Sequence, residues 1–362
     1  MKIAEWSLHV YRLPYVRDIQ WVYAAESSGD YALLKIVADN GATGIAEGVI
    51  KPTRTGYSPR SLGVALEDVI LPQLRKVDVA DANAVAAALS KVPENRLAKA
   101  VVDNALWTLR AVVAGKPLWQ YWGGKREVDI CWMVTRQTPT LMAIEADAAC
   151  SRHGVRALKI QGGQGRDTDL RTISAVRAAV GRDVELYVDA NGSYTREEAL
   201  DYVRALADAG VVVSEDPCAL APDAAYQALQ RDCGIPLLVD LSCASADDAR
   251  LYVGRGARAL AAKPARIGFT EARAIDAVAA AGHARLALAV YYESAIGTLV
   301  SLQQAAALAS PRPLPSSHSF FMMLKSQVTR FTPQIKNGKI ELPNEADLEK
   351  FIDWKAVQRL QF

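Results

Sequence analysis

The stretch VELYVDAN, residues 184–191, decides the predicted fold together with VVVSEDP at 211–217 and PLLVDLS at 236–242. Each stretch is an apolar run rich in Val and Leu that ends at an acidic residue, which is typical of a strand buried on both faces of a sheet. The acids are 26 and then 25 residues apart, enough for one strand, one helix and two short loops. We therefore predict three neighbouring parallel strands with an acid at the carboxyl end of each: Asp189, Glu215 and Asp240.

The three acids are expected to lie together at one edge of the sheet. Without a counter-charge they would repel one another and could not all stay ionised. A divalent cation removes this conflict, and ligation by oxygen atoms alone favours Mg²⁺, with Mn²⁺ as a possible substitute, over Zn²⁺. The alternative is that each acid only caps the helix that follows it. The regular spacing favours the metal site.

Strands and amphipathic helices alternate along the chain from residue 129 onwards. Thr195 and Glu198, for example, form a predicted capping box in front of a helix that Gly210 ends. About eight strand–helix units in roughly 200 residues favour a (β/α)8 TIM barrel over an open sheet, and such barrels place their chemistry at the carboxyl ends of the strands. The expected strands are 129–135, 155–161, 184–189, 211–215, 237–240, 259–263, 285–293 and a weaker one near 316–320.

The whole chain is predicted to be an α/β protein in three parts. Residues 1–128 combine antiparallel strands, with a turn at 39–41, and later helices, which indicates an α+β capping domain. Residues 129–325 are expected to form the modified TIM barrel. Residues 326–362 are expected to return to the capping domain as a hairpin followed by a helix.

The composition is that of an ordinary soluble globular protein. The chain has 362 residues, a net charge of +2 and 51% hydrophobic residues, so a large core is available. Basic and acidic residues are interleaved and no apolar run reaches about 18 residues, so we expect neither a nucleic-acid nor a membrane partner. The amino terminus does not resemble a signal peptide, and five cysteines without a recognisable spacing predict reduced thiols and a cytoplasmic location.

Two lysines and a glutamine stand at strand ends beside the acids. Lys263 follows the third acid by 23 residues, whereas Lys159 and Gln161 precede the first acid and share one face of their strand. A lysine near a divalent cation has its ammonium form disfavoured, which brings its pKa towards the range of a general base. Mg²⁺ would stabilise the enediolate formed when a proton leaves the carbon next to a carboxylate. For each lysine the alternative is a salt bridge to one of the acids.

At these positions the sequence resembles the enolase superfamily, and within it the muconate-lactonizing subgroup of the mandelate racemase and muconate lactonizing enzyme family. The resemblance spans nearly the whole chain and rests on GVRALKIQGG, VELYVDANGSY, VVVSEDP, IPLLVDLS, AAKPARIGFTEA and YYESAIGT. It implies a capping domain over a modified barrel and lysine bases on the second and sixth strands. The residues that it assigns are Asp189, Glu215 and Asp240 as Mg²⁺ ligands, Lys263 as the sixth-strand base and Asn191 as part of an Asp-x-Asn element.

Two positions depart from the pattern of that family. Its second strand reads Lys-x-Lys, but here the second lysine is replaced by Gln161, whose amide has no useful basicity. His318 stands near the place of an acid on the last strand and is a candidate acid/base or substrate ligand, or else a histidine in a polar loop. Glu293 is expected at the barrel mouth, either paired with Lys263 or in a structural role.

The resemblance assigns substrate selection to loops of the capping domain, which here are residues 17–31 and 49–57. Trp21 and Tyr23 are candidates for an aromatic wall, and Lys51 or Arg54 is a candidate partner for a substrate carboxylate. Each of these four is equally compatible with an ordinary surface residue.

We therefore expect a Mg²⁺-dependent lyase or isomerase that acts on a small-molecule carboxylate, and we expect it to be a homo-oligomer. With Lys263 as the one evident base, a muconate cycloisomerase-like reaction or the loss of water catalysed by a dehydratase is easier to explain than 1,1-proton transfer. One alternative is a racemase or epimerase that uses Lys159 as its second base. Another is a catalytically silent barrel that binds a carboxylate.

Overall fold

The computed structural model describes residues 1–362, and its amino-terminal part is an antiparallel sheet covered by helices. Asn40 and Gly41 make the turn between the second and third strands. The N–H of Ala42 donates to Oδ1 of Asn40 at 3.1 Å, and Gly41 takes a positive φ of 81°, which glycine adopts without steric cost. The strands pair in chain order and are β1 (Ile3–Gln20), β2 (Ala25–Ala38) and β3 (Thr43–Ile50).

A long helix lies directly against β3. Two glycines on the strand allow this close approach, because a Cβ at Gly44 would collide with the carbonyl oxygen of Ala105 and one at Gly48 would meet Val101 Cγ2 at 2.6 Å. The contact closes an apolar core of 24 buried residues. The helices of this part are α1 (Pro52–Thr55), α2 (Pro59–Val64), α3 (Leu71–Leu74), α4 (Ala82–Leu89), α5 (Arg96–Ala114), which is the helix on β3, and α6 (Leu118–Tyr121), with a π-helical segment at Ala65–Ile70.

Seven parallel strands follow in a second sheet, in which chain order and spatial order are the same. Its register aligns Gln161, Asp189 and Glu215, which end three consecutive strands. The strands are β5 (Trp132–Val134), β6 (Ala157–Gln161), β7 (Glu185–Asp189), β8 (Val213–Glu215), β9 (Leu237–Val239), β10 (Ala259–Ala262) and β11 (Arg285–Leu288), preceded by β4 (Glu127–Asp129) of a third sheet. The helices are α7 (Pro139–His153), α8 (Arg166–Val180), α9 (Arg196–Asp208), α10 (Ala224–Asp232), α11 (Ala246–Gly254), α12 (Pro264–Ile267), α13 (Phe269–Ala281) and α14 (Ala295–Ala305).

The eighth position of the barrel is filled by isolated bridges. Leu314 pairs with Ala287 of β11, and Ser316 pairs with Ile130 on the other side, which closes the ring. The eighth strand was predicted near 316–320, but Phe320–Met323 forms a 3₁₀ helix instead. The preceding sequence PRPLP explains the short pairing, since a proline has no N–H to donate to a sheet.

The predicted modified TIM barrel with an α+β capping domain is confirmed. The capping box of Thr195 and Glu198 is also present at the start of α9. The seventh strand is shorter than predicted, because β11 ends at Leu288 rather than at residue 293. Tyr292 has a φ of 66°, a left-handed conformation that a strand does not contain. Residues 289–293 therefore form a loop.

The carboxyl-terminal segment lies against the first strands of the chain. Gln361 forms a bridge with Tyr11 of β1, and Nζ of Lys35 on β2 is 2.5 Å from Oε1 of Glu349. The segment contains β12 (Ile335–Lys336) and β13 (Lys339–Glu341), then a 3₁₀ turn at Leu348–Phe351 and α15 (Trp354–Leu360). β13 pairs with β12 on one side and with β4 on the other.

Two further sequence-based expectations bear on the whole chain. None of the helices is long and apolar enough to cross a bilayer. All five cysteines are free thiols, and four of them are buried. They behave as small apolar core residues.

A buried carboxylate joins the capping domain to the barrel. Glu47 of β3 accepts hydrogen bonds from the Tyr11 hydroxyl (2.6 Å) and from the backbone N–H and hydroxyl of Ser294 (2.9 and 2.5 Å), which precedes α14. Burial outweighs these hydrogen bonds and raises the pKa of Glu47 to about 7. The carboxyl group therefore binds a proton more tightly in the folded protein than in the unfolded chain.

This difference predicts a pH-dependent stability. Between about pH 4.5 and 7 the folded state holds a proton that the unfolded chain releases, so ionisation of Glu47 lowers the free energy of unfolding as pH rises, by up to about 3 kcal/mol. In Glu47→Gln this loss is expected to be absent. Urea unfolding of both proteins at pH 5 and pH 8 measures it, and an equal pH dependence in the two proteins would contradict the assignment.

Candidate active site

The three acids that the sequence singled out end adjacent strands and are buried. Asp189 ends β7, Glu215 ends β8 and Asp240 directly follows β9, with exposed fractions of 5%, 1% and 4%. Asp216 holds the last of these strand ends in place, because its carboxylate accepts the backbone N–H groups of Asp240 (3.2 Å) and Leu241 (2.8 Å). Burial, together with the charges of Asp240 and Asp189, raises the pKa of Asp216 to about 8.

Two lysines supply the positive charge between these acids. Nζ of Lys159 is 2.9 Å from Asp189 Oδ2 and 2.6 Å from Glu215 Oε1, and Nζ of Lys263 forms an ion pair with Asp240. Burial lowers the pKa of Lys159, but the carboxylates outweigh burial, and the net pKa is well above its usual value. The lowering of the pKa that is expected beside a bound divalent cation stays a prediction. With Asp189 and Glu215 as its neighbours, Lys159 keeps its proton and its positive charge.

The residues present fit an oxygen-ligated divalent cation. Oε2 of Glu215 is buried and has no hydrogen-bond partner, and burial together with the charge of Asp189 raises the pKa of Glu215 well above its usual value. A positive ion would relieve both conditions. The three carboxylates do not meet at one point in this arrangement of side chains, because the ammonium of Lys159 lies between Asp189 and Glu215. This corrects the expectation that they converge directly.

A chain of amides runs from β6 to the capping domain. Nε2 of Gln161 is 3.3 Å from Asp189 Oδ2, and Nδ2 of Asn191 donates to Oε1 of Gln161 at 3.2 Å and to Asp189 Oδ1 at 2.9 Å. Nη2 of Arg54 reaches Oδ1 of Asn191 at 3.4 Å. Gln161 therefore faces the acids as a hydrogen-bonding group. Its amide cannot act as an acid or a base at neutral pH.

These side chains surround a small cavity of about 90 Å³. Its walls contain Arg266 and Tyr291, which sequence reasoning missed. Arg266 lies one helical turn after Lys263, in the first turn of α12, and this i+3 spacing was a usable signal. Tyr291 lies in the loop after β11, which the sequence predicted as strand. The thirteen lining residues are Arg54, Met133, Lys159, Gln161, Asp189, Asn191, Asp240, Leu241, Lys263, Arg266, Val290, Tyr291 and Tyr292.

The capping-domain candidates divide into two groups. Arg54 lines the cavity, but Trp21, Tyr23 and Lys51 do not. Lys51 is 3% exposed, and its Nζ lies 2.5 Å from Glu26 Oε2 and 4.4 Å from the ring centroid of Trp21. Its charge is already paired with Glu26. Arg54 is therefore the one of the four candidates that a ligand in this cavity can reach.

His318 and Glu293 lie behind the cavity wall rather than in it. Both side chains are fully buried, and Nε2 of His318 is 3.2 Å from Glu293 Oε1. Nδ1 of His318 is 2.8 Å from the hydroxyl of Ser316, and Ser301 donates to Glu293 at 3.0 Å. The expected pairing of Glu293 with Lys263 is absent, because each is bound to another partner. Neither side chain lines the space open to a ligand.

Comparison with known proteins identifies the class to which this fold and site belong. Residues 9–123 match the amino-terminal domain of mandelate racemase and muconate lactonizing enzyme, and residues 141–346 match the enolase C-terminal domain-like family. The chain belongs to the mandelate racemase and muconate lactonizing enzyme family of the enolase superfamily. Its relatives catalyse isomerase and lyase reactions of several kinds, which places this chain among enzymes.

Three relatives show the range of the family. The chain is 27% identical to muconate cycloisomerase 1-2 of Acinetobacter lwoffii, over 96% of this chain and 92% of the relative. It is 25% identical to the N-succinylamino acid racemase of Thermus thermophilus, over 99% and 97%. Among solved structures, a dipeptide epimerase from Cytophaga hutchinsonii complexed with Mg and the dipeptide D-Ala-L-Val superposes with a TM-score of 0.90 at 21% identity, covering 100% of this chain and 99% of that one.

Proposed function

We propose that this protein is a Mg²⁺-dependent isomerase or lyase that moves a proton on the carbon next to a substrate carboxylate. The observation that carries the proposal is the order of side chains around the cavity. Lys263, at the end of β10, and Gln161, at the end of β6, lie on either side of the three acid-bearing strands β7, β8 and β9. The Mg-bound dipeptide epimerase of the same fold supports the choice of metal.

The chain's own residues account for the chemistry. Asp189, Glu215 and Asp240 would hold the metal, which when bound stabilises the charge that develops on the substrate carboxylate. Lys263 takes or returns the proton at the α-carbon. The amide of Gln161 hydrogen-bonds a substrate oxygen and cannot deliver a proton to the opposite face.

The second candidate is a racemase or epimerase in which Lys159 is the other base. It is favoured by the position of Lys159, whose side chain lines the same cavity as Lys263, and by the likeness to N-succinylamino acid racemase. Against it stands Gln161, which replaces the second lysine of the Lys-x-Lys pattern and has no useful basicity. The stereochemistry of proton exchange separates the two candidates.

In D₂O, with Mg²⁺ present, we expect deuterium to enter a turned-over carboxylate from one face only and without racemisation, because Gln161 faces the other side. Gln161→Lys is expected to gain weak epimerase activity, since it places a basic group at that position. NMR detection of the α-hydrogen on each enantiomer of a panel of chiral carboxylates measures both effects. Inversion of both enantiomers at comparable rates by the unaltered protein would overturn the one-base proposal.

A further inference from the structure

The chain turns sharply between β10 and α13, and this corner carries the proposed base. We call residues 263–268 the α12 corner, because they contain Lys263 and then the short helix α12. Lys263 forms an ion pair with Asp240, and Nη2 of Arg266 donates to the carbonyl oxygen of Leu241 at 3.1 Å. Lys263 and Arg266 both line the cavity of the candidate active site. The place of the Lys263 ammonium in that cavity therefore depends on what holds the backbone of the corner.

An asparagine of the capping domain holds the backbone at both ends of the α12 corner. Asn104 lies in the middle of α5 and is 1% exposed. Its Nδ2 donates to the carbonyl oxygen of Pro264 at 2.9 Å, and its Oδ1 accepts the N–H of Phe269 at 2.8 Å. Pro264 directly follows Lys263, and Phe269 is the first residue of α13. One buried side chain of the other domain thus fixes the start and the end of the corner.

The neighbouring aspartate caps the helix that follows the corner. Oδ2 of Asp103 accepts the N–H of Thr270 at 2.8 Å, and its Oδ1 accepts the hydroxyl of Thr270 at 2.6 Å. The first N–H groups of a helix need acceptors from outside the helix, and the side chain of the residue before it commonly supplies one. Here that residue is Gly268, which has no side chain. Residues of α5 that lie 165 and 167 positions earlier in the chain supply the cap instead.

The contact between α5 and the α12 corner is close. Gly268 takes a φ of 85°, and a Cβ there would lie 2.8 Å from Oδ2 of Asp103. Asp103 and Asn104 are both buried, so loss of either side chain would leave a buried backbone N–H of α13 without its acceptor. The backbone of the corner would then have to move to find another partner.

We infer that Asp103 and Asn104 are positioning residues for proton transfer, which set the place of the Lys263 ammonium from the capping domain. This inference rests on the proposed function, in which Lys263 is the base. Neither residue lines the cavity, so both act through the backbone of the α12 corner. A displacement of about 1 Å at a reacting group can reduce a rate by about 100-fold. The three acids stand at the ends of β7, β8 and β9, so their affinity for a metal does not depend on this contact.

Acetylation of the intact protein with acetic anhydride tests the positioning without a substrate. A lysine released from its carboxylate partner reacts faster, because the reagent attacks the neutral amine. Peptide mass spectrometry compares Lys263 with Lys159, which two acids hold in the same cavity. Asn104→Ala and Asp103→Ala are each expected to raise the labelling of Lys263 relative to Lys159 at least about threefold, because the opening is local.

The same variants are expected to react more slowly. With Mg²⁺ and the panel of chiral carboxylates in D₂O, α-proton exchange should fall by about 10–100-fold, whereas the Mg²⁺ affinity measured by calorimetry should stay within about twofold. Asp103→Asn is the conservative variant, since an amide oxygen can still accept the N–H of Thr270, and it should remain within about threefold of the unaltered protein in labelling and exchange.

Two further variants complete the design, and circular dichroism shows whether each variant is folded. Gly268→Ala disturbs the same contact from the barrel side, should act as the alanine variants do, and takes their place if they do not fold. Trp107→Phe is the matched control on α5. It removes only the hydrogen bond from the indole to the hydroxyl of Thr270 (2.9 Å), and it should change neither labelling nor exchange.

The inference is overturned by an unchanged labelling ratio in the folded variants, or by an equal change in Trp107→Phe. A loss of Mg²⁺ affinity as large as the loss of exchange would also overturn it, because the whole site would then be disturbed. Absence of exchange by the unaltered protein contradicts the proposed function alone. In that case the labelling ratio still decides whether the capping domain positions Lys263.

Discussion

Asp189→Asn, Glu215→Gln and Asp240→Asn are each expected to lower Mg²⁺ affinity by more than about 100-fold and to remove α-proton exchange. Loss of an outer-shell partner alone costs a metal site about 10–100-fold, so loss of a carboxylate ligand should cost more. The acids end adjacent strands, and Glu215 has a buried oxygen atom without a partner. Each substitution removes a negative charge from a place where the protein already contains two ammonium groups.

Calorimetric titration with Mg²⁺ alone measures the affinity, and circular dichroism shows whether each variant is folded. Asp201→Asn is the matched control, because Asp201 is an exposed acid on α9 of the same barrel. It should bind Mg²⁺ as the unaltered protein does. Unchanged Mg²⁺ binding in two of the three site variants would contradict the assignment of the ligands.

The barrel could be predicted from sequence wherever a strand is buried on both faces and ends at a charged residue. β7 and β8 end at Asp189 and Glu215, the residues that the sequence indicated. In such strands the change from apolar to acidic coincides with the edge of the sheet. The last position of the ring gave no such signal. Leu314 and Ser316 alternate with prolines and close the barrel with two bridges only.

The candidate site was predictable in its barrel half and not in its capping half. Register along parallel strands fixes the acids and lysines from spacing alone. The roles of Lys51 and Arg54 depend on contacts with residues that are distant in the chain. Lys51 pairs with Glu26, and Arg54 donates to Asn191. Such pairings leave no periodic trace in the sequence. The same holds for His318, which is buried against Glu293 rather than open to the cavity.

Lys263→Ala is expected to reduce α-proton exchange and turnover by about 10²–10⁴-fold, the usual contribution of a positioned general base. The alanine variant also removes the charge that faces Asp240, so the loss has two possible causes. Lys263→Arg separates them, because a guanidinium keeps the positive charge beside the carboxylate but does not give up its proton in a protein. The arginine variant should keep Mg²⁺ affinity near that of the unaltered protein and still lose exchange.

The two enantiomers of a chiral carboxylate make the Lys263 variants decisive. If Lys263 is the one base, both variants lose exchange of the reactive enantiomer, and neither gains exchange of the other. If Lys159 is a second base, each variant keeps α-hydrogen exchange of the enantiomer whose α-hydrogen faces β6 and loses exchange of the other enantiomer only. Exchange near the unaltered rate in both variants would show that the base lies elsewhere in the cavity, and Lys159 is then the remaining lysine in its wall. The one-base proposal and the racemase alternative thus differ in a single measurement, made on two variants that leave all three acids in place.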